Sequence, residues 1–293
     1  MLSVNFKIPA KTTRQVADGL QQRKRTIQIL AFQEVTDAFR GWALYLSASI
    51  AATISAFYVF NATSFVANSG LLILQRPFLI PLSITATVTL LYVITRATLA
   101  IARPREQGVL RVLFFAPVDS IGLLGAHLFS GTAIYTLLMV ISVPLVYLQS
   151  LITNLPFPAV VFLSLIVSPL FATLAVSIGL FISSTASGSR SAILLIGTIL
   201  LFALLIPTGY NALLNVPQSS RFYDATYVLR KLLRLARVLL DWVSPFSLLI
   251  GTMDDCVRHG WADFTQKLLA GLLGSFIWVG FAVIGLQRRG VLP

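Results

Sequence analysis

The stretch FLIPLSITATVTLLYVITRATLAIA, residues 78–102, decides the fold of this chain. It holds 25 residues and a single charged side chain, Arg96. About 20 consecutive apolar residues in a helix are enough to cross the hydrocarbon core of a bilayer. The stretch therefore predicts a membrane-spanning helix. Because Arg96 lies near one end, we expect its long side chain to extend to the cytoplasmic membrane surface.

The rest of the chain repeats this pattern. Of the 293 residues, 57% are hydrophobic and 11% charged, against about 25% charged in soluble domains. We predict an all-α protein whose six spans lie at about 42–60, 78–102, 121–148, 158–182, 191–207 and 264–286, the third interrupted by Pro144. A polar cytoplasmic tail, residues 1–23, precedes a single transmembrane domain, residues 24–293.

The basic residues predict the orientation of the spans. The net charge is +12, which we assign to anchoring at a membrane surface rather than to binding nucleic acid, because Lys and Arg concentrate on cytoplasmic flanks. With both termini inside, thirteen basic residues are cytoplasmic: Lys7, Lys11, Arg14, Arg23, Lys24, Arg25, Arg40, Arg103, Arg105, Arg111, Arg190, Arg288 and Arg289. Eight are outside, of which only Arg76 lies in a short loop. We expect an integral plasma-membrane protein.

Two amphipathic helices are predicted outside the spans. Residues 24–40 place apolar side chains on one helical face: Ile27, Leu30, Ala31, Val35, Ala38 and Phe39. This helix leads into the first span, so we expect it in the membrane interface. Residues 227–242 place Arg230, Arg234 and Arg237 on one face. This helix is too charged to span, so the segment 221–242 is predicted to be interfacial or re-entrant.

Catalytic chemistry has little support in the sequence. All ten acidic residues lie outside the predicted spans or at their edges, whereas intramembrane acids usually mark ion translocation or catalysis. One cysteine, Cys256, and two distant histidines suggest no metal site. We expect Asp254 and Asp255 in a solvated loop, and His127 to be a buried or interfacial polar residue. The sequence has no Walker A motif, so we expect no enzyme activity and no cofactor.

One cytoplasmic segment carries a family resemblance. The stretch REQGVLRVLFFAPVD, residues 105–119, resembles the segment after the second span in membrane subunits of ABC-2 type ABC transporters. The residues that match the family's pattern are Glu106, Gly108, Val109, Leu110, Leu113, Phe114, Ala116, Pro117 and Val118. SSTASGSRSA, residues 183–192, and WVSPFSLL, residues 242–249, also resemble that family in order and spacing.

The resemblance implies a permease that works with an ATPase in trans. Two such subunits, identical or different, would pair, and a separate ATP-binding subunit would bind ATP. The residues 24–40 would form a connecting helix. A coupling helix would begin near Pro104 with Glu106 in its first turn and end at Pro117, and Arg103, Arg105 and Arg111 would pair with acids on the ATPase. The coupling residues are Arg105, Glu106, Gly108, Leu110, Arg111, Leu113, Phe114 and Pro117.

The translocation path would follow the second and fifth spans. Thr85, Thr89, Thr95 and Thr198 offer mild polar contacts there. A path so poor in charge favours a hydrophobic or amphipathic cargo, such as a lipid, a glycan-lipid, a drug or a peptide. The alternative is a membrane scaffold or assembly factor that transports nothing and binds a soluble partner through the same inner loop.

Overall fold

The protein is described here by a computed structural model, which covers residues 25, 27–69, 78–108, 120–154, 157, 161–215 and 223–290. The predicted tail, residues 1–23, lies outside them. The described residues form ten α-helices and no strand. The helices are α1 (27–40), α2 (Trp42–Ser69), α3 (Leu79–Leu99), α4 (Ala102–Glu106), α5 (Ser120–Thr153), α6 (Val161–Thr185), α7 (Ser189–Leu214), α8 (Tyr223–Val243), α9 (Pro245–Arg258) and α10 (Trp261–Gly290).

The six predicted spans are confirmed as helices long and apolar enough to cross a membrane. Their bounds are Trp42–Phe65, Leu79–Glu106, Ser120–Thr153, Phe162–Thr185, Ser189–Leu214 and Trp261–Arg288. The chain is therefore an integral membrane protein. The predicted interruption at Pro144 was wrong, since α5 continues through it, and α7 extends through Pro207, the predicted end of the fifth span, to Leu214. Prolines are tolerated inside membrane helices because neighbouring groups satisfy the freed backbone carbonyls.

Helix α6 forms the centre of the bundle. It packs against α3, α5, α9 and α10, and 56% of its most apolar window is buried inside the protein. The corresponding values for α7 and α10 are 11% and 17%, so these two helices present most of their apolar surface outward. The chain thus packs around its fourth span, and the fifth and sixth spans are peripheral.

Gly179 allows α6 to approach α3 closely. A Cβ atom at this position would lie 2.8 Å from both the Ala97 Cβ and the Ile94 carbonyl oxygen. Membrane helices often pack through small residues, since close backbone approach increases van der Waals contact. Gly179 therefore sets the distance between the second and fourth spans.

Replacing Gly179 with leucine should destabilise the bundle by about 1–3 kcal/mol, because the extra side chain forces the two backbones apart. The measurement is the thermal unfolding midpoint of the purified protein in detergent. The matched control is Gly197→Leu on α7, where a Cβ atom meets nothing within 4 Å. Equal midpoints for the two variants would contradict this account of the α3–α6 contact.

The segment between the fifth and sixth spans holds a buried helix that the sequence prediction missed. The Ser244 hydroxyl accepts a hydrogen bond from the Ser247 amide, Pro245 begins α9, and His259 ends it in a left-handed conformation with φ 58°. Such a cap and such an N-terminal proline are typical helix boundaries. Leu248 and Leu249 of α9 are fully buried. This helix therefore belongs to the core.

The acidic pair on α9 also differs from the prediction. Asp254 and Asp255 lie on a helix and not in a solvated loop. The Lys267 ammonium of α10 lies 2.6 Å from the Asp255 carboxylate, and Arg258 lies 2.7 Å from Asp254. Asp255 thus helps to hold α9 against α10, while the Asp254–Arg258 pair lies within α9. The described residues contain no group of His, Cys, Asp or Glu able to hold a metal ion.

Helix α8 covers residues 227–242, where an interfacial or re-entrant helix was predicted, and packs against the C-terminal end of α7. The Arg237 guanidinium donates a hydrogen bond to the Asn211 side chain at 3.3 Å and lies 5.4 Å from the centre of the Tyr210 ring. Leu232 and Leu235 are 61% and 62% exposed. Since α4 contacts the other end of α7, α8 and α4 lie at opposite ends of the bundle.

Candidate functional site

Helix α4 is bound at its start by the end of α6. The Ser183 hydroxyl accepts hydrogen bonds from the Ile101 and Ala102 amides, both at 2.9 Å. These amides are among the first of the helix and have no partner within it. Ser183 is fully buried, so this cap is shielded from solvent. We call residues 101–108 and 183–191 together the α4 platform.

Arg105 binds the carbonyl groups at the end of α6. Its guanidinium donates hydrogen bonds to the Ser184 oxygen at 3.1 Å and to the Ala186 oxygen at 2.6 Å. The last carbonyls of a helix carry partial negative charge and favour a cation. Arg105 was predicted to pair with acids on a partner protein. The structure instead places it against its own chain.

Glu106 binds the start of α7, the helix end that carries partial positive charge. Its carboxylate accepts hydrogen bonds from the Ser189 amide at 2.9 Å and from the Ser189 hydroxyl at 2.5 Å. Ser189 is the first residue of α7, where the helix dipole favours an anion. Arg105 and Glu106 are neighbours in sequence. Through them α4 places a cation at the negative end of α6 and an anion at the positive start of α7.

Gly108 changes the direction of the chain after α4. Its φ of +74° lies in the left-handed region, which glycine adopts without strain. Helix α4 begins at Ala102 and ends at Glu106, so one continuous helix from near Pro104 to Pro117, as predicted, does not form. The Ser183 cap and the conformation of Gly108 explain the difference. Five predicted coupling residues lie outside the described residues: Leu110, Arg111, Leu113, Phe114 and Pro117.

The amphipathic helix α1 packs on the bundle through its predicted face. Ala31 and Ala38 are 3% and 2% exposed, and Val35 and Phe39 pack partly buried against the core. Phe32, outside this face, is 75% exposed. The 3.6-residue period of the sequence thus identified the contact surface of α1 correctly.

A polar cluster joins α1 to the second and third spans. The Glu34 carboxylate of α1 pairs with the His127 imidazole and accepts a hydrogen bond from the Ser130 hydroxyl, both on α5. The Arg96 guanidinium of α3 donates to the Glu34 carbonyl oxygen at 2.6 Å. We call Glu34, Arg96, His127 and Ser130 the α1 latch. It fixes α1 to two spans.

No model of a known protein family matches this chain, and no curated protein matches it significantly. The function of the α4 platform and the α1 latch therefore has to be inferred from their own residues. Their common feature is that each ties a short helix to two spans. Helix α4, at the end of the second span, is bonded to α6 and α7, and α1 is bonded to α3 and α5.

The α1 latch gives Arg96 a partner that was not predicted. This side chain was expected to extend to the cytoplasmic membrane surface, and it bonds to the backbone of α1, the helix expected in the membrane interface. His127 was expected to be a buried or interfacial polar residue, and its side chain is 13% exposed. Glu34 and Ser130 had no predicted role. The sequence signal for this role was that Glu34 lies next to Val35, a residue of the apolar face of α1.

The Glu34 carboxyl is held in its charged form. Burial would raise its pKa, but the His127 hydrogen bond and charge, the Ser130 hydroxyl and the Arg96 charge together hold the pKa below the reference value of 4.5. A carboxyl whose pKa is lowered on folding stabilises the protein above its unfolded pKa, and this stabilisation is lost as the pH falls through the folded pKa. The α1 latch should therefore weaken in acid.

Replacing Glu34 with glutamine should lower the stability by about 1–3 kcal/mol at pH 7, since the charged partner of His127 is lost. The difference between the two proteins should shrink as the pH falls below 4.5. The measurement is the thermal unfolding midpoint of both proteins at pH 7 and pH 4. Arg40→Gln is the control, because Arg40 is exposed on the same helix. A difference between wild type and Glu34→Gln that is independent of pH would contradict this role.

The four threonines of the predicted path lie in two settings. Thr85 and Thr89 are 2% and 3% exposed inside the packed bundle, and Thr95 and Thr198 are exposed. All four hydroxyls donate to carbonyls of their own helix. The structure does not bring the four together at one surface of this chain.

Proposed function

We propose that this chain is the membrane-spanning subunit of an ATP-binding cassette exporter of the ABC-2 type. The observation that carries the proposal is the α4 platform, in which one short helix is bonded to the end of α6 and the start of α7. The resemblance of residues 105–119 to the permease family supports it. The ATPase is a separate polypeptide, since the sequence has no Walker A motif.

The platform suits the transfer of a rigid movement. A force applied to the segment after α3 reaches α6 through Arg105 and Ser183, and reaches α7 through Glu106. Rigid-body motion is passed on when the moving elements are joined by short, well-packed contacts. One push by the ATPase therefore moves the second, fourth and fifth spans together.

The contact with the ATPase lies on the exposed part of the platform. Gln107 and Arg190 are exposed, and residues 109–119 continue from Gly108 with the basic Arg111. Complementary charge across such an interface favours rapid and specific association. Arg105 and Glu106 act as positioning residues within the chain, while the residues that follow them meet the partner.

The remaining parts of the proposal follow from this assignment. The chain lies in the plasma membrane, with the α4 platform and both termini on the cytoplasmic side. The distribution of basic residues agrees with this orientation. Two permease subunits, identical or related, pair so that the path lies between them, near α3 and α7. The outward apolar surface of α7, including Leu194 and Leu204, fits a hydrophobic or amphipathic cargo.

Co-expression with the ATP-binding cassette protein encoded by a neighbouring gene tests the proposal. We expect the two proteins to co-purify and to hydrolyse ATP in lipid nanodiscs. The alternative, a scaffold or assembly factor, predicts a stable complex whose ATP hydrolysis does not depend on this chain. A chain that purifies without the ATPase would contradict the proposed function.

A further inference from the structure

A cleft of about 680 Å³ lies between α1, α3, α4 and α5, beside the α1 latch. This volume is in the usual range of about 300–1,000 Å³ for small-molecule sites. Its charged wall contains Arg96, Arg103 and Asp37, and its apolar wall contains Val93 and Leu99. A cleft that joins two such walls at the end of membrane spans matches an amphipathic ligand.

Two arginines offer hydrogen-bond donors to this cleft. Arg96 uses one donor on the Glu34 carbonyl, and a guanidinium has five. Arg103 is exposed at the start of α4 and makes no side-chain hydrogen bond within the described part of the chain. Guanidinium groups bind phosphate in a bidentate manner. The two residues lie seven positions apart, Arg96 on α3 and Arg103 on α4.

One carboxylate in the cleft is available to a ligand. Glu34 is engaged by His127 and Ser130, whereas Asp37 is exposed and has no ion pair among the described residues. The cleft therefore offers two cations together with one uncommitted anion. This arrangement matches a headgroup that carries both a phosphate and an ammonium group better than one that is purely anionic.

The apolar wall identifies the rest of the ligand. Tyr92, Val93, Ala97 and Leu99 of α3 line the cleft on the membrane-spanning part of that helix. Acyl chains contacting this wall would stay within the hydrocarbon region while the headgroup meets the charges. We propose that the cleft binds a phospholipid with a primary amine in its headgroup, its phosphate on Arg96 and Arg103 and its ammonium on Asp37. This inference does not depend on the proposed transport function.

Native mass spectrometry of the full chain in detergent tests the site. The probes are dioleoyl phosphatidylethanolamine, phosphatidylcholine and phosphatidylglycerol at equal concentrations. We expect phosphatidylethanolamine to bind most tightly, and Arg103→Gln to weaken its binding about tenfold, the usual effect of losing a charged hydrogen bond. The control, Arg40→Gln, removes the same charge from α1 outside this cleft and should bind as the wild type does.

Two further arms separate the ligand's features. Asp37→Asn should reduce the affinity for phosphatidylethanolamine to that for phosphatidylcholine, because the ammonium loses its partner. Soluble phosphoethanolamine should not displace the lipid at equal concentration. The proposal is overturned if phosphatidylglycerol binds best, if Arg40→Gln weakens binding as much as Arg103→Gln, or if phosphoethanolamine alone binds as tightly as the lipid. No ATPase is present, so failure here leaves the proposed function untouched.

Discussion

Replacing Glu106 with lysine should reduce, by roughly tenfold or more, the stimulation of ATP hydrolysis that we propose this chain gives to an ATPase. The carboxylate accepts two hydrogen bonds from Ser189 at the start of α7. An ammonium in its place can accept neither and is repelled by the positive end of the helix dipole. The link between α4 and the fifth span is then broken, although the surface proposed to meet the ATPase is retained.

The matched variant for this experiment is Glu106→Gln. Its amide oxygen can still accept from the Ser189 amide, so most of the stimulation should remain. The measurement is ATP hydrolysis by the complex in nanodiscs, with co-purification of the ATPase as a second readout. If lysine and glutamine reduced hydrolysis equally, or if lysine prevented the ATPase from binding, Glu106 would act at the interface and not as a positioning residue.

Replacing Arg105 with methionine should lower the stability of the chain by about 2–4 kcal/mol, because the Ser184 and Ala186 carbonyls lose a charged donor. Methionine keeps an unbranched apolar stem and removes the guanidinium, so the loss reports mainly on the hydrogen bonds. The unfolding midpoint in detergent measures it, without any ATPase. The stimulation of hydrolysis should fall in parallel, since α4 also loses its hold on the fourth span.

Arg190→Met is the control for Arg105→Met. Arg190 lies on the same platform, is exposed and belongs to the surface proposed to meet the ATPase. Its replacement should leave the unfolding midpoint unchanged and weaken ATPase binding, the reverse of the pattern for Arg105. Equal loss of stability in both variants would contradict the division of the platform into an internal and an external part.

The sequence predicted the features that depend on periodicity and apolar length. The six spans follow from apolar runs long enough to cross the hydrocarbon core of a bilayer. The buried face of α1 follows from the spacing of Ala31, Val35 and Ala38, because a helix with one apolar stripe has one way to pack. The sequence misled at Pro144 and Pro207. Proline breaks helices in soluble proteins, but membrane helices tolerate it.

The contacts that build the candidate site depend on the approach of distant segments. Ser183 and Ser189 lie about eighty residues from α4 in sequence, and only the fold shows that their polar groups match the start of α4 and Glu106. The same holds for Glu34 and His127. Helix α9 was missed because its 14 residues are too few to span a membrane and its acids suggested a loop, whereas Lys267 on α10 neutralises Asp255.

The central claim is that the α4 platform transmits the action of an ATPase in trans to the spans. ATP hydrolysis by the complex in nanodiscs, compared between wild type and Glu106→Lys, tests it most directly. The account predicts that both proteins co-purify with the ATPase and that only the wild type stimulates hydrolysis. Undiminished stimulation by Glu106→Lys, or a wild-type chain that binds no ATPase, would contradict it.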